Sequence, residues 1–472
     1  MFRQRRLVLA LAAITGILLL HNLASTTSRN RSHKITILRS SGGAASAPAQ
    51  TSERRRWLRS RLASLGRTGG CKLRFAGEAA EAEAAPAVGG RRKRVFYGAN
   101  LYNNAPSMAH WLVELLQSVA EHEPADAFVS VYESGSTDAT PRWLAFLADV
   151  LAELGVPFSI VSNATDVKAG YADRIEFMAH IRNQILRPLH EGFAQPAGGA
   201  EYDKLVLMND VFFCARDVRR LLALDADLAC GLDFDNVNNT RKAGELQPLI
   251  DRGVDVSRMP LFYDVWVARG IDGARFSKLP PYVSDAASVA QAHGGKPFRV
   301  YCCWNGIAVL RAAPFLRGLR FRALGGGSGG GGGECSGASE CSFMCKDLWN
   351  SGYTRVMVDP MVRLAYDRPT FESLQQPISG LDDVAPTASV AAAASAPPKS
   401  VTCCPRAHGW DRRLYWSKCY AEPTRSAAQP KLGPAAAGGA KPRIADLLAV
   451  LQAFQQDSLS DRSPSPPSSV AV

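Results

Sequence analysis

The chain has no internal repeat, no Cys-x-x-Cys spacing, and no apolar run as long as the roughly 20 residues that cross a bilayer. A repeat architecture is thereby excluded, and a zinc site built on paired cysteines loses its usual framework. Gly325 to Gly333, interrupted only by Ser328, looks like a phosphate loop but lacks the Gly-Lys-Ser/Thr ending. It reads as a surface insertion. Excess positive charge is missing from the part that should fold. The net charge is +12, yet residues 1–94 carry 19 Lys/Arg against 4 Asp/Glu, leaving 36 against 39 in the remainder. Nucleic acid is therefore not an expected partner.

What is present begins with Arg3, Arg5 and Arg6, followed by an uncharged run from Leu7 to Leu20. Such a flank holds its own end in the cytosol and sends the rest of the chain into the lumen. An uncleaved signal anchor over residues 1–24 is the favoured reading, because no small-x-small cleavage site stands out. A cleaved signal peptide is the alternative. Either one places the remainder in the oxidising Golgi or ER lumen, and the anchor makes it a single-pass type II protein. Sequons at Asn30, Asn163 and Asn238 agree. Eleven cysteines, an odd number, then imply disulfides with at least one thiol left over. A zinc site from Cys403, Cys404, His408 and Cys419 is the weaker alternative.

Composition divides the rest. Residues 25–94 form a basic, flexible stem, and residues 378–400 an Ala/Pro linker. Residues 401–456 hold a Cys/Trp-rich flap and a short helix from Ile444 to Phe454; residues 457–472 are a disordered Ser/Pro tail. Between them, residues 95–377 alternate apolar strands with amphipathic helices. That pattern predicts an α/β domain with a mostly parallel sheet flanked by helices.

The strongest local signal is the run Leu205 to Met208, a buried strand that stops at Asn209 and Asp210. Ligands of open α/β sheets sit at the carboxyl ends of strands. A helix-capping Asp is the plainer alternative. Upstream, a strand from Arg94 to Tyr97 leads into a polar turn, Gly98 to Asn104, and then a helix, Met108 to Glu121, with Trp111, Leu112, Leu115, Leu116 and Val119 on one face. A second strand, Ala127 to Tyr132, ends in Glu133-Ser134-Gly135-Ser136-Thr137-Asp138. A third, Phe158 to Val161, precedes a helix bearing Arg174, Arg182 and Asn183. The strand Leu228 to Leu232 runs into a literal Asp-x-Asp, Asp233-Phe234-Asp235. Glu340 opens a helix that ends at Gly352-Tyr353, ahead of a strand, Val356 to Val358.

In that order the segments resemble the GT-A nucleotide-sugar glycosyltransferases, a Rossmann-like class. The resemblance implies a base or ribose contact at Glu133 and Ser134, with Asn100 and Asn103 beside it. It puts Arg174, Arg182 and Asn183 against the diphosphate. Asn209 and Asp210 stand where the class keeps its metal-binding acids, with Asp210 the main ligand for Mn²⁺ or Mg²⁺, hard cations suited to oxygen donors. Asp233 and Asp235 are the alternative metal site, and otherwise face donor sugar or acceptor as catalytic-site acids. Glu340 inherits the acid that faces the acceptor hydroxyl.

The wording of Asn100-Leu101-Tyr102-Asn103, Val131-Tyr132-Glu133-Ser134-Gly135-Ser136, Asn209-Asp210-Val211, Phe262-Tyr263-Asp264-Val265-Trp266-Val267-Ala268-Arg269 and Ser339-Glu340-Cys341 narrows the likeness. With Asp233-Phe234-Asp235, these segments resemble the fungal capsule-associated α-1,3-mannosyltransferases, glycosyltransferase family 69, over about residues 94–420. The resemblance implies mannose transfer from GDP-mannose to the 3-hydroxyl of a mannoside or mannan acceptor, with retention, in cell-wall, capsule or glycoprotein glycan synthesis. Tyr263, Asp264, Trp266 and Arg269 would line the acceptor side. Asn209 and Cys341, each standing where the class has Asp, motivate a second reading: a non-catalytic nucleotide-sugar-binding subunit of a glycan-synthesis complex. A glycoside hydrolase using Asp233 and Asp235 fits poorly, since acids two apart on one strand lie too close to flank a sugar.

Overall fold

A computed structural model describes residues 36–39, 71, 87–88, 91–164, 170–171, 173–196, 199–235, 260–324, 334–335, 337–376, 396–405 and 415–424. The expected signal anchor, most of the stem and linker, the Gly-rich loop, the 444–454 helix and the tail lie outside these residues. Among the described residues no helix is long and apolar enough to cross a membrane.

The sheet begins at its outer edge with β1 (Thr36–Arg39). Its first parallel block comprises β2 (Val95–Leu101), β3 (Ala127–Glu133), β4 (Phe158–Ser162) and β5 (Lys204–Met208). Next in the chain come β6 (Leu228–Asp235) and the short β7 (Leu261–Phe262) and β8 (Arg269–Gly270). The last strands are β9 (Phe298–Cys302), β10 (Ile307–Arg311) and β11 (Val356–Ala365). The hydrogen-bonded order is β1-β4-β3-β2-β5-β10-β6-β11-β9-β8, with β7 on β6. β10 is antiparallel to both β5 and β6, and β6 is parallel to β11. β2, β3, β4, β5, β6 and β11 therefore point the same way, as does the two-residue β8.

Both faces are covered, as a parallel sheet requires. Along β2, Val95, Tyr97, Ala99 and Leu101 join one core and Phe96 the other, the period-two alternation of a strand buried on both sides. The first core takes α1 (Ala105–Val119), α2 (Thr140–Leu154) and α4 (Ala215–Ala223); the second takes α3 (Arg174–His190) and α5 (Glu340–Asn350). The apolar face expected on α1 is buried at Trp111, Leu112, Leu115, Leu116 and Val119.

The opening strand is longer than expected. Gly98 to Leu101, read above as a turn, pair in register with Ser130 to Glu133. Gly98 belongs there for a packing reason: a Cβ would come within 2.5 Å of Ile185 Cγ2 on α3. Pro106 near the start of α1 also moves the helix onset earlier than Met108, since proline suits the first turn.

Five disulfides pair Cys71–Cys214, Cys230–Cys303, Cys302–Cys345, Cys335–Cys403 and Cys404–Cys419. Cys341 is a buried free thiol. The flap is a hairpin of β12 (Ser400–Cys403) and β13 (Tyr420–Pro423).

The β6–β11 pairing shifts register between Val358 and Arg363, and Gly231 permits the close approach there. A Cβ on residue 231 would lie 2.6 Å from the Val362 carbonyl oxygen. Gly231→Ala should lower stability by about 1–3 kcal/mol through overpacking, read as a lower urea midpoint at unchanged slope. An unchanged midpoint would show that the two strands can separate without cost.

Candidate functional site

The carboxyl ends of β2, β3, β5, β6 and β11 bring the polar residues together, and antiparallel β10 starts at the same edge. Asp210 follows β5 and is half-buried; its Oδ2 accepts a 2.6 Å hydrogen bond from Asn104 Nδ2. Asn104 is held in turn, its backbone N–H donating to Thr140 Oγ1 at 2.8 Å and its Oδ1 accepting from Tyr102 N–H at 2.6 Å. A carboxylate oriented by a fixed amide is pre-aimed, which is how an outer-shell partner positions a ligand.

Asn209 bridges two side chains. Its Oδ1 accepts from Trp304 Nε1 at 3.2 Å, and its Nδ2 donates to Tyr366 Oη at 3.4 Å. The indole occupies one of the two lone pairs of the carboxamide oxygen and holds the side chain in place. From Tyr366 the chain of bonds continues to Asp233 Oδ2 at 3.3 Å, while Asp233 Oδ1 accepts from the Asp264 N–H at 3.2 Å. Asp264 accepts from the Asn305 and Val267 N–H groups at 3.2 and 3.3 Å.

Asp233 is fully buried, and desolvation followed by the neighbouring Asp264 carboxylate pushes its pKa well above the usual carboxylate range. Burial also raises Asp264 to about 7, against the opposing backbone hydrogen bonds from Asn305 and Val267. The pair holds a proton near neutrality because two desolvated acids cannot both ionise cheaply. Asp235 is buried at the end of β6, opposite Leu261. Tyr263, 48% exposed, lays its ring 4.4 Å from that of Tyr366.

Glu340 is the first residue of α5, behind the N-cap Ser339, whose hydroxyl accepts from Ser342 N–H. Its Oε1 is 2.8 Å from Arg182 Nε, and the Cys341 thiol donates to the same oxygen at 3.5 Å. The Arg182 guanidinium lies over Trp304, 3.9 Å from the ring centroid. Arg182 and Glu340 are about 5% exposed, so the pair is buried.

Several residues expected to touch ligand also bond within the protein. Glu133 is fully buried; one oxygen takes Ser136 N–H, and the other takes Asn163 N–H at 2.6 Å and Ser162 Oγ at 3.1 Å. It stitches the β3 turn to β4. Arg182 bonds Glu340 through Nε. Asn183 clamps residue 321, donating to its carbonyl at 2.9 Å and accepting from its N–H at 3.0 Å. Arg269 is buried and donates to the Thr402 carbonyl at 2.7 Å and the Ala268 carbonyl at 2.8 Å, which ties the flap down. Trp266 donates its indole N–H to Gly337 O at 2.8 Å. Asn103 adopts φ +55° and accepts from Thr137 N–H at 2.8 Å. Asn100 is half-buried near the end of β2, its Oδ1 without a hydrogen bond among the described residues; Ser134 N–H bonds the Leu101 carbonyl, and Arg174 opens α3. The residues that the sequence reading missed are Asn104, Trp304, Asn305 and Tyr366. Tyr366 directly follows β11, but Asp359, Pro360 and Arg363 interrupt that strand, so it lacks the clean apolar run that marked Asp210.

The family described as Cryptococcal mannosyltransferase 1 matches residues 94–347, more than half of the chain. The chain belongs to that family. The α-1,3-mannosyltransferase CMT1 of Cryptococcus neoformans is 31% identical over 281 residues, which cover 56% of this chain and 55% of that protein. The chain thus spans about half the length of this curated relative. Two solved structures show remote likeness. The mannosyltransferase PcManGT of Pyrobaculum calidifontis, in complex with GDP-Man and Mn²⁺, is 15% identical over 66% of this chain and 68% of its own, at TM-score 0.33. GalNAc-T7 with UDP, GalNAc and Mn²⁺ is 12% identical over 62% and 46%, at TM-score 0.36. Likenesses that distant carry no argument. In this Cryptococcal mannosyltransferase 1 family member, the matched segment contains Asp210, Asp233, Asp264 and Glu340 together.

Two outcomes follow from the buried charges. Arg182→Met should cost about 3–5 kcal/mol by stranding Glu340, and adding Glu340→Leu should recover most of it; urea unfolding of the singles and the double checks this, and additive losses would refute the coupling. Asp264 has a folded pKa raised above its unfolded value. The stability it contributes is complete below its unfolded pKa and is lost as pH rises through about 7. Asp264→Asn should therefore flatten the fall in urea midpoint between pH 5 and pH 8; an unchanged slope would contradict the assigned burial.

Proposed function

We propose that the chain transfers mannose from GDP-mannose to the 3-hydroxyl of an α-mannoside or mannan acceptor, with retention and with help from a divalent cation. The observation that carries this reading is the convergence of Asp210, Asp233, Asp264 and Glu340 on one edge of the sheet, inside the segment the family shares. Family membership and the 31% identical relative named for this activity support it. The five disulfides support a luminal, oxidising compartment, the Golgi or ER, and the basic flank and apolar run of residues 3–20 support an N-terminal membrane anchor.

The donor set fits a hard cation at Asp210. One of its oxygens is fixed by Asn104, and the carboxylate is half-buried at a strand end. Among the described residues, no trio of His, Cys, Asp or Glu close enough to hold an ion includes Asp210. Asp210 would supply a carboxylate ligand, with diphosphate oxygens and water completing the shell. Bound there, Mn²⁺ or Mg²⁺ would neutralise the leaving diphosphate.

In the transfer, the bond between the anomeric carbon and the phosphate oxygen breaks and a new bond forms to the acceptor oxygen, whose proton passes to the departing GDP. Glu340, kept in place by Arg182, would orient the acceptor hydroxyl. The Asp233–Asp264 pair, pushed toward its protonated form by burial, can donate or accept a hydrogen bond at a sugar hydroxyl without holding two full charges. Exposed Tyr263 offers a ring face to the sugar.

Asp210→Ala should reduce transfer from GDP-mannose at least ~100-fold, as loss of one electrostatic stabiliser does, while the thermal midpoint stays near that of the parent. Chelator should produce the same loss in the parent, reversed by Mn²⁺. Full activity in Asp210→Ala would remove Asp210 from the site; GDP binding without transfer to any mannoside would favour the non-catalytic subunit.

A further inference from the structure

Beside the carboxyl edge runs a cleft, part of it open to solvent, bounded by α5, the segment carrying Trp266 and the β12–β13 flap. None of Asp210, Asp233, Asp264 and Glu340 lines it. Its chemistry narrows the occupant. Arg269 and Lys346 supply positive charge, but Lys346 Nζ is 3.0 Å from Glu422 and 3.4 Å from Glu334, so acids match the cations. A phosphate or nucleotide would need uncompensated cations. A lipid tail would need walls without buried ions. A neutral, hydroxyl-rich ring satisfies both demands: half-buried Trp266 supplies an aromatic wall, and Ser342 and Thr402 add hydroxyls.

The cleft is continuous with the site through covalent structure. Trp266 lies two residues after Asp264, and its indole N–H bonds to Gly337 O, just ahead of Glu340. Ser342, Phe343 and Lys346 line the cleft from the helix that Glu340 opens, within about 9 Å along its axis at 1.5 Å per residue. The flap wall is fastened by Cys335–Cys403, Cys404–Cys419 and the bond from Arg269 to Thr402, so it needs little ordering on binding.

We propose that this cleft is a second saccharide subsite, seating the acceptor residue beyond the one that receives mannose. The assignment of its occupant as acceptor rests on the transfer reading above. It gives the disulfide-bonded flap a role in selecting acceptors by chain length.

The test uses the full chain without donor, titrated calorimetrically with α-mannosides of one to four residues. Affinity should rise about tenfold or more from one residue to three, the yield of one or two good hydrogen bonds with a ring contact. Val401→Trp and Ala338→Trp, each filling the cleft from a different wall, should remove that gain. Affinity independent of length in the parent overturns the proposal, as does a retained gain in filled variants that melt like the parent. Transfer from GDP-mannose, measured on the same acceptors, separates the two readings. Transfer without length gain overturns the cleft and leaves the transfer reading intact. Length gain without transfer supports the cleft as a saccharide site and overturns the transfer reading.

Discussion

The buried pair between Arg182 and Glu340 is the interaction on which the site depends. Taking two charges out of water costs several kcal/mol for each ion, and only good geometry with further hydrogen bonds returns it. Here the return comes from three sources: the 2.8 Å contact, the Cys341 thiol on the same oxygen, and the indole of Trp304 beneath the guanidinium. Because Trp304 also donates to Asn209, the ion pair reaches the end of β5 in two steps. α3, α5 and the turn before β10 are thereby fixed against one another. Cys302–Cys345 fastens α5 to β9 by a covalent route.

The acids on the other side of Trp304 obey a different economy. Among the described residues no cation pairs with Asp233; its partners there are a tyrosine hydroxyl and a backbone N–H. A fold that keeps a desolvated carboxyl without a counter-ion gains nothing in stability from it, and such groups gather where function needs them. Asp264 shares the burden and faces the same edge. Together with Asp210 and Glu340 they give that edge a graded set: one oriented carboxylate, one pair that burial pushes toward its protonated form, and one acid locked to an arginine.

The sequence made part of this readable. The apolar run ending at Asp210, the buried face of α1 and the acid opening α5 are local patterns with periodicity or punctuation behind them, and each appears where its pattern placed it. Gly98 to Leu101 were misread because glycine and asparagine signal turns, whereas the glycine is there to admit Ile185. The roles of Glu133, Asn183, Asn209 and Arg269 were hidden for a deeper reason. Their partners come from other segments: Trp304 is 95 residues from Asn209, Thr402 is 133 from Arg269, and Phe321 is 138 from Asn183. A motif states which residue types stand at a strand end. It does not state whether the protein has already used their lone pairs.

The central claim is that the donor nucleotide binds at the carboxyl edge of the sheet. Amide hydrogen exchange of the full chain, with and without GDP and Mn²⁺, measures that directly. The account predicts slower exchange in residues 102–104, 134–137 and 209–212 on binding, with little change in the flap strands. Protection confined to residues 400–404 and 420–423 would contradict it and move the nucleotide to the cleft.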